Sequence, residues 1–385
     1  MPNMTTDVLM TPQRSLTLCR PGGGPGLRAW DAADELLLQV ADERLRTGQR
    51  VAIVDDGFGA LTLGLADAAP EVVADSAVLP HALARNAAAN GLASPAVANW
   101  QAPPPGPFDV VILRIPRQLD YLEYLLRWCN EVLAEDGLLL AGGMIKHLPD
   151  RSVDVFNRLV TTEAVLPARK KARVVVCRRG TSVLAGWDGL LRGFELPDAG
   201  LPVKGLPAVF SRERLDIGAR QLLPWAVQAA KTLAPGARVL DLACGNGVQG
   251  LTVLSHRDDV FVLFADVSSQ AVASAETNVR QALPAAQASF VCQDGTDASG
   301  EFDLVLLNPP FHDGGAVGDH IALKLFAQAS RALRPGGQLL MVGNRHLGYH
   351  RSLRKSFRQV RQLAADPKFV VLAAAEPVSQ RGGRS

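Results

Sequence analysis

Short apolar runs rich in Val, Ile and Leu alternate along this chain with longer Ala- and Leu-rich stretches that carry polar residues at helical spacing, as in "SSQAVASAETNVRQAL" (268–283). Runs of the first kind read as strands buried on both faces, and the intervening stretches as the helices that cover them. The alternation predicts a doubly wound α/β unit with a largely parallel sheet. It occurs twice. "RVAIVDDGFGALTL" (50–63) lines up with "RVLDLACGNGVQGL" (238–251), "VVADS" (72–76) with "LFADVS" (263–268), "PFDVVILRIPR" (107–117) with "EFDLVLLNPPF" (301–311), and "LAEDGLLLAGGMIKH" (133–147) with "LRPGGQLLMVGNRH" (333–346). Each half closes on one more apolar run, "ARVVVCR" and "KFVVLAA", expected as the last strand of its sheet. A Gly/Pro run, "PGGGPG" (21–26), is expected to set a short N-terminal strand, "RSLTL", apart from the first unit, and "LPDAGLPVKGLP" (196–207) to lead into the second.

The two copies differ where chemistry is expected. In the second, Asp241 ends the first strand and Gly245, Gly247 and Gly250 follow; the aligned residues of the first are Ile53, Gly57, Gly59 and Thr62. Asn308, Pro309, Pro310 and Phe311 of the second face Arg114, Ile115, Pro116 and Arg117. The first copy therefore reads as a fold that has kept its sheet and lost its site.

Gly245-Asn246-Gly247-Val248-Gln249-Gly250 is a G-x-G-x-x-G turn, and Asp266 ends the next strand. That pattern suits a nicotinamide dinucleotide as well as S-adenosylmethionine. Asp241 favours the second, because a carboxylate repels a pyrophosphate and attracts the ammonium of a methionine. The Asn-Pro-Pro-Phe run favours it too. Proline fixes φ, removes a donor and pushes the preceding residue extended, so the strand must stop. Open α/β sheets take ligands at this carboxyl end. The Asn308 oxygen and the Pro309 carbonyl would accept both N–H bonds of an exocyclic base amine, and Phe311 offers a face for a flipped base. Asp294, in "VCQDGT", suits the cofactor's adenine amine or else merely caps a loop, and His312 reads as incidental.

Composition constrains the partners. The 385 residues suffice for two domains, with 48% hydrophobic and 20% charged residues and aromatics at 5%. The net charge of +2 gives no general argument for nucleic acid. The basic residues are concentrated late: "RHLGYHRSLRKSFRQVRQL" (345–363) has helical spacing and is expected as a basic face beside the site, with Arg345, His346 and Arg351 as candidate RNA contacts. His346 matches His147 across the repeat, which also fits a structural role. The five cysteines lack C-x-x-C spacing, so neither disulfides nor a metal site are expected, and they read as core residues. The absence of a signal peptide or long apolar stretch makes a cytoplasmic protein the expectation.

These fragments in this order, together with "LRAWDAADELLL" (27–38), "KKARVVVC" (170–177) and "VFSRERLDIGARQLL" (209–223), resemble the bacterial large-subunit ribosomal RNA guanine-N2 methyltransferases of the G type, related to the C-type enzymes of the small subunit. The resemblance implies two tandem Rossmann-like class I methyltransferase domains. Residues 1–182 would be the degenerate, RNA-holding copy, 183–207 a linker with lead-in strands, and 208–385 the catalytic domain. It also implies S-adenosylmethionine as cofactor and N2 of one guanine in large-subunit rRNA, free or in a partly assembled subunit, as acceptor. Asp241, Gly245, Gly247, Asp266 and Asp294 are carried over as cofactor contacts, and Asn308, Pro309 and Phe311 as catalytic residues. Arg214, Asp216 and Gly218 are expected over the cofactor pocket. Ala243 departs from the motif, where a glycine is expected. The paired domains suggest a monomer. From the residues alone adenine N6, a small-subunit guanine or a glutamine side chain remain alternative acceptors, and an NAD-linked oxidoreductase and a non-catalytic assembly factor remain rival classes.

Overall fold

The computed structural model describes residues 6–22, 26–148, 151–197, 199–310 and 316–378, with the side chains of 316–319 left aside. Two compact units divide between Leu190 and Leu191. The first comprises β1 (Thr6–Met10), β2 (Ser15–Cys19), α1 (Ala32–Arg44), β3 (Val51–Val54), α2 (Ala60–Gly64), β4 (Glu71–Val73), α3 (Val78–Ala89), β5 (Val97–Ala98), β6 (Phe108–Arg114), α4 (Leu119–Val132), β7 (Leu133–Met144), α5 (Ser152–Leu159), β8 (Thr161–Val165) and β9 (Ala172–Arg178). The second repeats that succession in β10 (Arg192–Leu196), β11 (Leu201–Gly205), α6 (Ile217–Lys231), β12 (Arg238–Leu242), α7 (Val248–His256), β13 (Phe261–Asp266), α8 (Ser269–Ala282), β14 (Ala288–Cys292), β15 (Phe302–Leu307), α9 (Ala316–Ala332), β16 (Leu333–Asn344), α10 (Tyr349–Leu353), β17 (Phe357–Ala365) and β18 (Phe369–Pro377).

Among the described residues each unit builds one seven-stranded sheet in the same order, β5-β4-β3-β6-β7-β9-β8 and β14-β13-β12-β15-β16-β18-β17. The first five strands of each are parallel and the last two pair antiparallel. This is the doubly wound sheet expected from the alternation. The central strands are apolar because helices cover both faces: Val239, Leu304 and Leu340 face one core, and Leu240, Val305 and Leu339 the other.

Two expectations need correction. The N-terminal strand is not set apart from its unit; β1 and β2 form a hairpin whose Leu9, Leu16 and Leu18 enter the first core. The basic stretch 345–363 is not one helix. It turns through a short 3-10 segment and α10, then runs out as β17, the edge strand, where Arg358 and Arg361 are exposed. In β17 the less exposed Phe357, Val360 and Leu363 recur every third residue with exposed pairs between them, a spacing that imitates an amphipathic helix over so short a window.

A side-chain latch fastens the lead-in segment of each unit. In the second unit Lys204, Leu206 and Ala208 donate their amides to Asn278 Oδ1 (2.9 Å), Ser274 Oγ (3.0 Å) and Gln270 Oε1 (2.8 Å). The fit is geometric: four residues of helix rise about 6.0 Å and two of extended chain about 6.6 Å, so one helix stripe serves as a neighbouring strand. Asn278 Nδ2 also donates to the carbonyls of Lys204 (2.8 Å) and Asn246 (2.9 Å), tying the segment to the glycine turn. Asn86 of the first unit does the same, receiving Cys19 N at 2.9 Å and donating to Cys19 O at 3.1 Å and Phe58 O at 2.9 Å.

Candidate active site

The glycine turn joins β12 to α7. Gly245 and Gly247 hold φ of +56° and +80°, and a Cβ on Gly247 would lie 2.9 Å from that of Ala275. A Cβ on Gly250 would lie 2.4 Å from the Phe264 ring, so glycine lets α7 settle against the sheet. Ala243, where glycine is expected, has φ +57°. The left-handed conformation is adopted despite its Cβ, at a cost of about 1 kcal/mol.

Asp241 lies fully buried beneath this turn. Its Oδ2 accepts from Gly250 N at 2.8 Å, while Oδ1 is buried with no partner. Burial pushes its pKa up to about 8, with the nearby Asp266 charge adding to the rise and the Gly250 amide opposing it. Asp266, at the end of β13, accepts Gly245 N at 2.8 Å and Ser268 N at 2.9 Å and so fixes the turn from the neighbouring strand. Asp294 is engaged through Oδ2 by the Lys324 ammonium, and its carbonyl accepts from Gln328 Nε2 at 3.3 Å.

β15 ends at Leu307 and delivers Asn308 at the carboxyl edge of the sheet. Its Nδ2 donates to Asp216 Oδ2 at 3.1 Å, and its Oδ1 is buried without a partner. Pro309 is buried and Pro310 exposed. Phe311 and His312 lie outside the described residues. Asp216 is the N-cap of α6, and the same Oδ2 accepts Ala219 N at 2.9 Å. A Cβ on Gly218 would lie 3.0 Å from that oxygen and 3.3 Å from the Phe369 ring. The segment 209–219 thus brings Asp216 and Gly218 to Asn308, whereas Arg214 is exposed and Arg212 is the buried arginine. Arg345, His346 and Arg351 are exposed just beyond the end of β16, with Arg345 Nη1 3.4 Å from the Asp366 carbonyl. Because β7 ends at Met144 and β16 at Asn344, His346 corresponds to Lys146 and not, as expected, to His147.

The contact that sequence reasoning missed is the one between Asp216 and Asn308. An aspartate before an apolar helical run is a legible cap signal, but the partner beyond the cap is set by the packing of α6 on the sheet. Cys292, expected in the core, is only partly buried, while Cys19, Cys129, Cys177 and Cys244 are buried.

The first unit refills the corresponding places. Arg114, facing Asn308, donates to Asp31 at 3.0 Å and Asp34 at 3.2 Å; Asp31 is the N-cap of α1, as Asp216 is of α6. Ile53 replaces Asp241, but a carboxylate returns from within the turn: Asp56 Oδ2 accepts Thr62 N at 2.9 Å, the amide aligned with that of Gly250. Asp55 stands at the left-handed position of Ala243, with φ +57°. The turn is preserved, while the polar groups above it are replaced by an ion pair.

A sheet of this order, entered through a glycine turn and ending its central strand in Asn-Pro-Pro, has the architecture of class I methyltransferases, and a model of the methyltransferase small domain matches residues 200–373. A model of the RLMG N-terminal domain matches residues 6–181. The ribosomal RNA large subunit methyltransferase G of Pseudomonas aeruginosa is 40% identical over 377 residues, 95% of this chain and 99% of the relative. That of Streptomyces coelicolor is 39% identical over 362 residues, 91% and 94% of the two chains. Among solved structures, the Thermus thermophilus 16S rRNA N2 G1207 methyltransferase, in complex with AdoMet and guanosine, superposes with a TM-score of 0.74 at 25% identity, covering 96% of this chain and 97% of that one. The chain belongs to the ribosomal RNA large subunit methyltransferase G family.

Proposed function

We propose that the C-terminal unit transfers a methyl group from S-adenosylmethionine to the exocyclic N2 of one guanine in large-subunit rRNA. The observation that carries this reading is the buried, unpartnered Oδ1 of Asn308, whose Nδ2 is already held by Asp216. A buried oxygen without a donor is costly, and here it stands where an amine would supply one.

When bound, the cofactor supplies an electrophilic methyl on a sulfonium centre. Asn308 Oδ1 would accept one N–H of the amine and the Pro309 carbonyl the other, so that both acceptors stabilise the positive charge growing on nitrogen as the N–C bond forms, the methyl–sulfur bond breaks and the electron pair leaves on the neutral thioether. The proton leaves to solvent after attack, and no general base is needed. Asp216 positions the amide, and Phe311 provides the stacking face.

The pocket fits the cofactor through groups that lack a partner or frame the turn. The unpartnered Asp241 Oδ1 is the acceptor for the methionine ammonium. Gly245 and Gly247 keep the backbone low beneath the ligand, Asp266 takes the ribose side, and Asp294 takes the adenine amine. Family relatives named as large-subunit enzymes support the choice of rRNA, and the guanosine in the related solved structure supports guanine.

Residues 208–385 act as the catalytic domain, 183–207 lead into it, and 1–182 hold RNA and support the fold, since Arg114 stands in place of the amine acceptor and Ile53 in place of Asp241, while the buried Asp56 is already engaged by Thr62. Arg345, His346 and Arg351 border the site as RNA contacts. Among the described residues no helix is long and apolar enough to cross a membrane. An rRNA substrate, alone or in a partly assembled subunit, places the protein in the cytoplasm, and the paired units serve it as a monomer.

Transfer of labelled methyl to undermodified large-subunit rRNA, small-subunit rRNA, DNA and release factor tests the reading. N2-methylguanosine from large-subunit RNA alone, abolished by Asn308→Ala, is the expected result. Label on another acceptor overturns the substrate, and cofactor binding without transfer overturns the enzyme.

A further inference from the structure

Besides Asn308, Gln249 and Gln328, Asn344, the last residue of β16, has a buried amide oxygen without a partner. The sheet order β15-β16-β18 places this strand between the one that leads to Asn308 and the one that begins at Phe369. Along β16, Leu340 and Val342 face the core formed with α6, while Leu339 and Met341 face the other side. Strand alternation therefore turns Asn344 toward α6. Both neighbours point the same way: Asn308 reaches Asp216 at the head of that helix, and Phe369, paired with Asn344, packs against Gly218.

The register sets their spacing. Leu306 pairs with Leu340, so Asn308 is level with Val342. Asn344 thus stands two residues, about 6.6 Å, nearer the carboxyl edge, on a strand about 4.8 Å away. Two unpartnered amide oxygens consequently border the same corner of the sheet, one stepped outward from the other. In the first unit both positions lack them, with Arg114 for Asn308 and Met144 for Asn344.

We propose that Asn344 reads the Watson–Crick edge of the target base by accepting guanine N1–H, and so selects guanine over adenine. This rests on the reading that Asn308 holds the amine to be methylated. With the guanine amine at Asn308, the adjacent ring position is a donor, N1–H, which the Asn344 oxygen accepts, and the amide donors of Asn344 can serve O6. With an adenine amine in the same place the adjacent ring nitrogen is an acceptor, so two lone pairs would confront each other and the Asn344 oxygen would stay unpaired. A site built to pair a substrate donor rejects an analogue that lacks it far more strongly than an apolar pocket does.

The test uses an rRNA fragment carrying either guanosine or 2-aminopurine at the target position; the analogue keeps the exocyclic amine but lacks N1–H and O6. Wild-type enzyme is expected to favour guanosine by at least roughly 10-fold in kcat/KM. Asn344→Met is expected to lower kcat/KM for guanosine by roughly 10- to 100-fold and leave 2-aminopurine unchanged, so the preference collapses with cofactor affinity unaltered. Asn344→Asp, which keeps an acceptor and tests the role should the methionine variant fold poorly, is expected to retain a preference for guanosine. Equal loss on both substrates, or a wild-type enzyme indifferent between them, overturns the proposal. Asn308→Ala separates the two layers: if that variant stays fully active, the reading of the site itself fails, whereas failure at Asn344 with an inactive Asn308→Ala enzyme removes only the role of Asn344.

Discussion

Asn308 donates its side-chain amide to Asp216 at 3.1 Å across 92 positions of sequence, and in the first unit Arg114 donates to Asp31 at 3.0 Å in the matching place. In each unit a strand end is tied to the carboxylate that caps the first helix of the doubly wound sheet. What changed between the copies is the group tied there. An amide held by its nitrogen leaves an oxygen to face a ligand, whereas a guanidinium held by two carboxylates leaves no acceptor.

Asp216 therefore positions the amide proposed to hold the substrate amine, as well as capping α6. Asp216→Ala is expected to cost about 1 kcal/mol of stability through the lost cap and to lower kcat roughly 10- to 100-fold through a misdirected Asn308. Cofactor affinity should be unchanged by calorimetry. Asp216→Asn, whose oxygen still accepts, should recover most of the rate; equal loss of rate in both variants would point to a different role.

Burial sets the protonation of Asp241. With its pKa raised to about 8, it is mostly protonated at neutral pH in the free protein, and a cationic ligand favours the ionised form. Cofactor binding should release protons, and affinity should rise with pH toward about 8 and level off above it. Calorimetry in buffers of different ionisation enthalpy reads this directly. The stability linkage has the matching sign: because the folded value lies above the unfolded one, this group's contribution is full below about pH 4, is lost as pH rises toward about 8, and is constant beyond. The wild type should thus lose stability relative to Asp241→Asn over that window.

The latch residue Asn278 makes three hydrogen bonds to backbone, one as acceptor and two as donor. Asn278→Ala should destabilise the second unit by about 2–4 kcal/mol, since buried backbone groups lose their partners. Amide exchange at Lys204 should accelerate markedly. Asn86→Ala should do the same at Cys19 in the first unit, and slow exchange at either site would contradict the latch.

Ala243→Gly should raise the thermal midpoint, because glycine accepts φ of +57° without a Cβ conflict. Relief of about 1 kcal/mol is partly offset by the greater unfolded-state freedom of glycine, leaving a net gain of about 0.5 kcal/mol. A β-branched residue at the same place should lower the midpoint.

The exposed Arg345 and Arg351 should contribute to RNA affinity without touching the cofactor. Replacing either with Ala should weaken rRNA binding and reduce the slope of log affinity against log salt by roughly one. An unchanged salt slope would remove that residue from the RNA surface.

The repeat, the doubly wound fold and the glycine turn were legible because they are local and periodic: buried strands are continuously apolar, and a turn with positive φ demands particular residues at fixed spacing. The replacement of Asn308 by Arg114 in the first copy was legible too, though not its ion pairs with Asp31 and Asp34. The sequence alone could not show that Asp56 returns a carboxylate to the Thr62 amide, since that depends on the path of the turn. Nor could it distinguish the edge strand 357–365 from a helix, because a strand at a sheet margin carries its charges without a buried face on each side.

Which elements exist, and which residue types stand at their ends, was determined by the sequence itself, because propensity, hydrophobic period and turn chemistry act over a few residues. Which side chains meet was decided only by the tertiary structure. Asp216 reaches Asn308, Asn278 fastens Lys204 to Asn246, and Asn344 stands between Asn308 and Phe369 through strand order, register and helix packing. Those relations span tens of residues, and no local pattern encodes them.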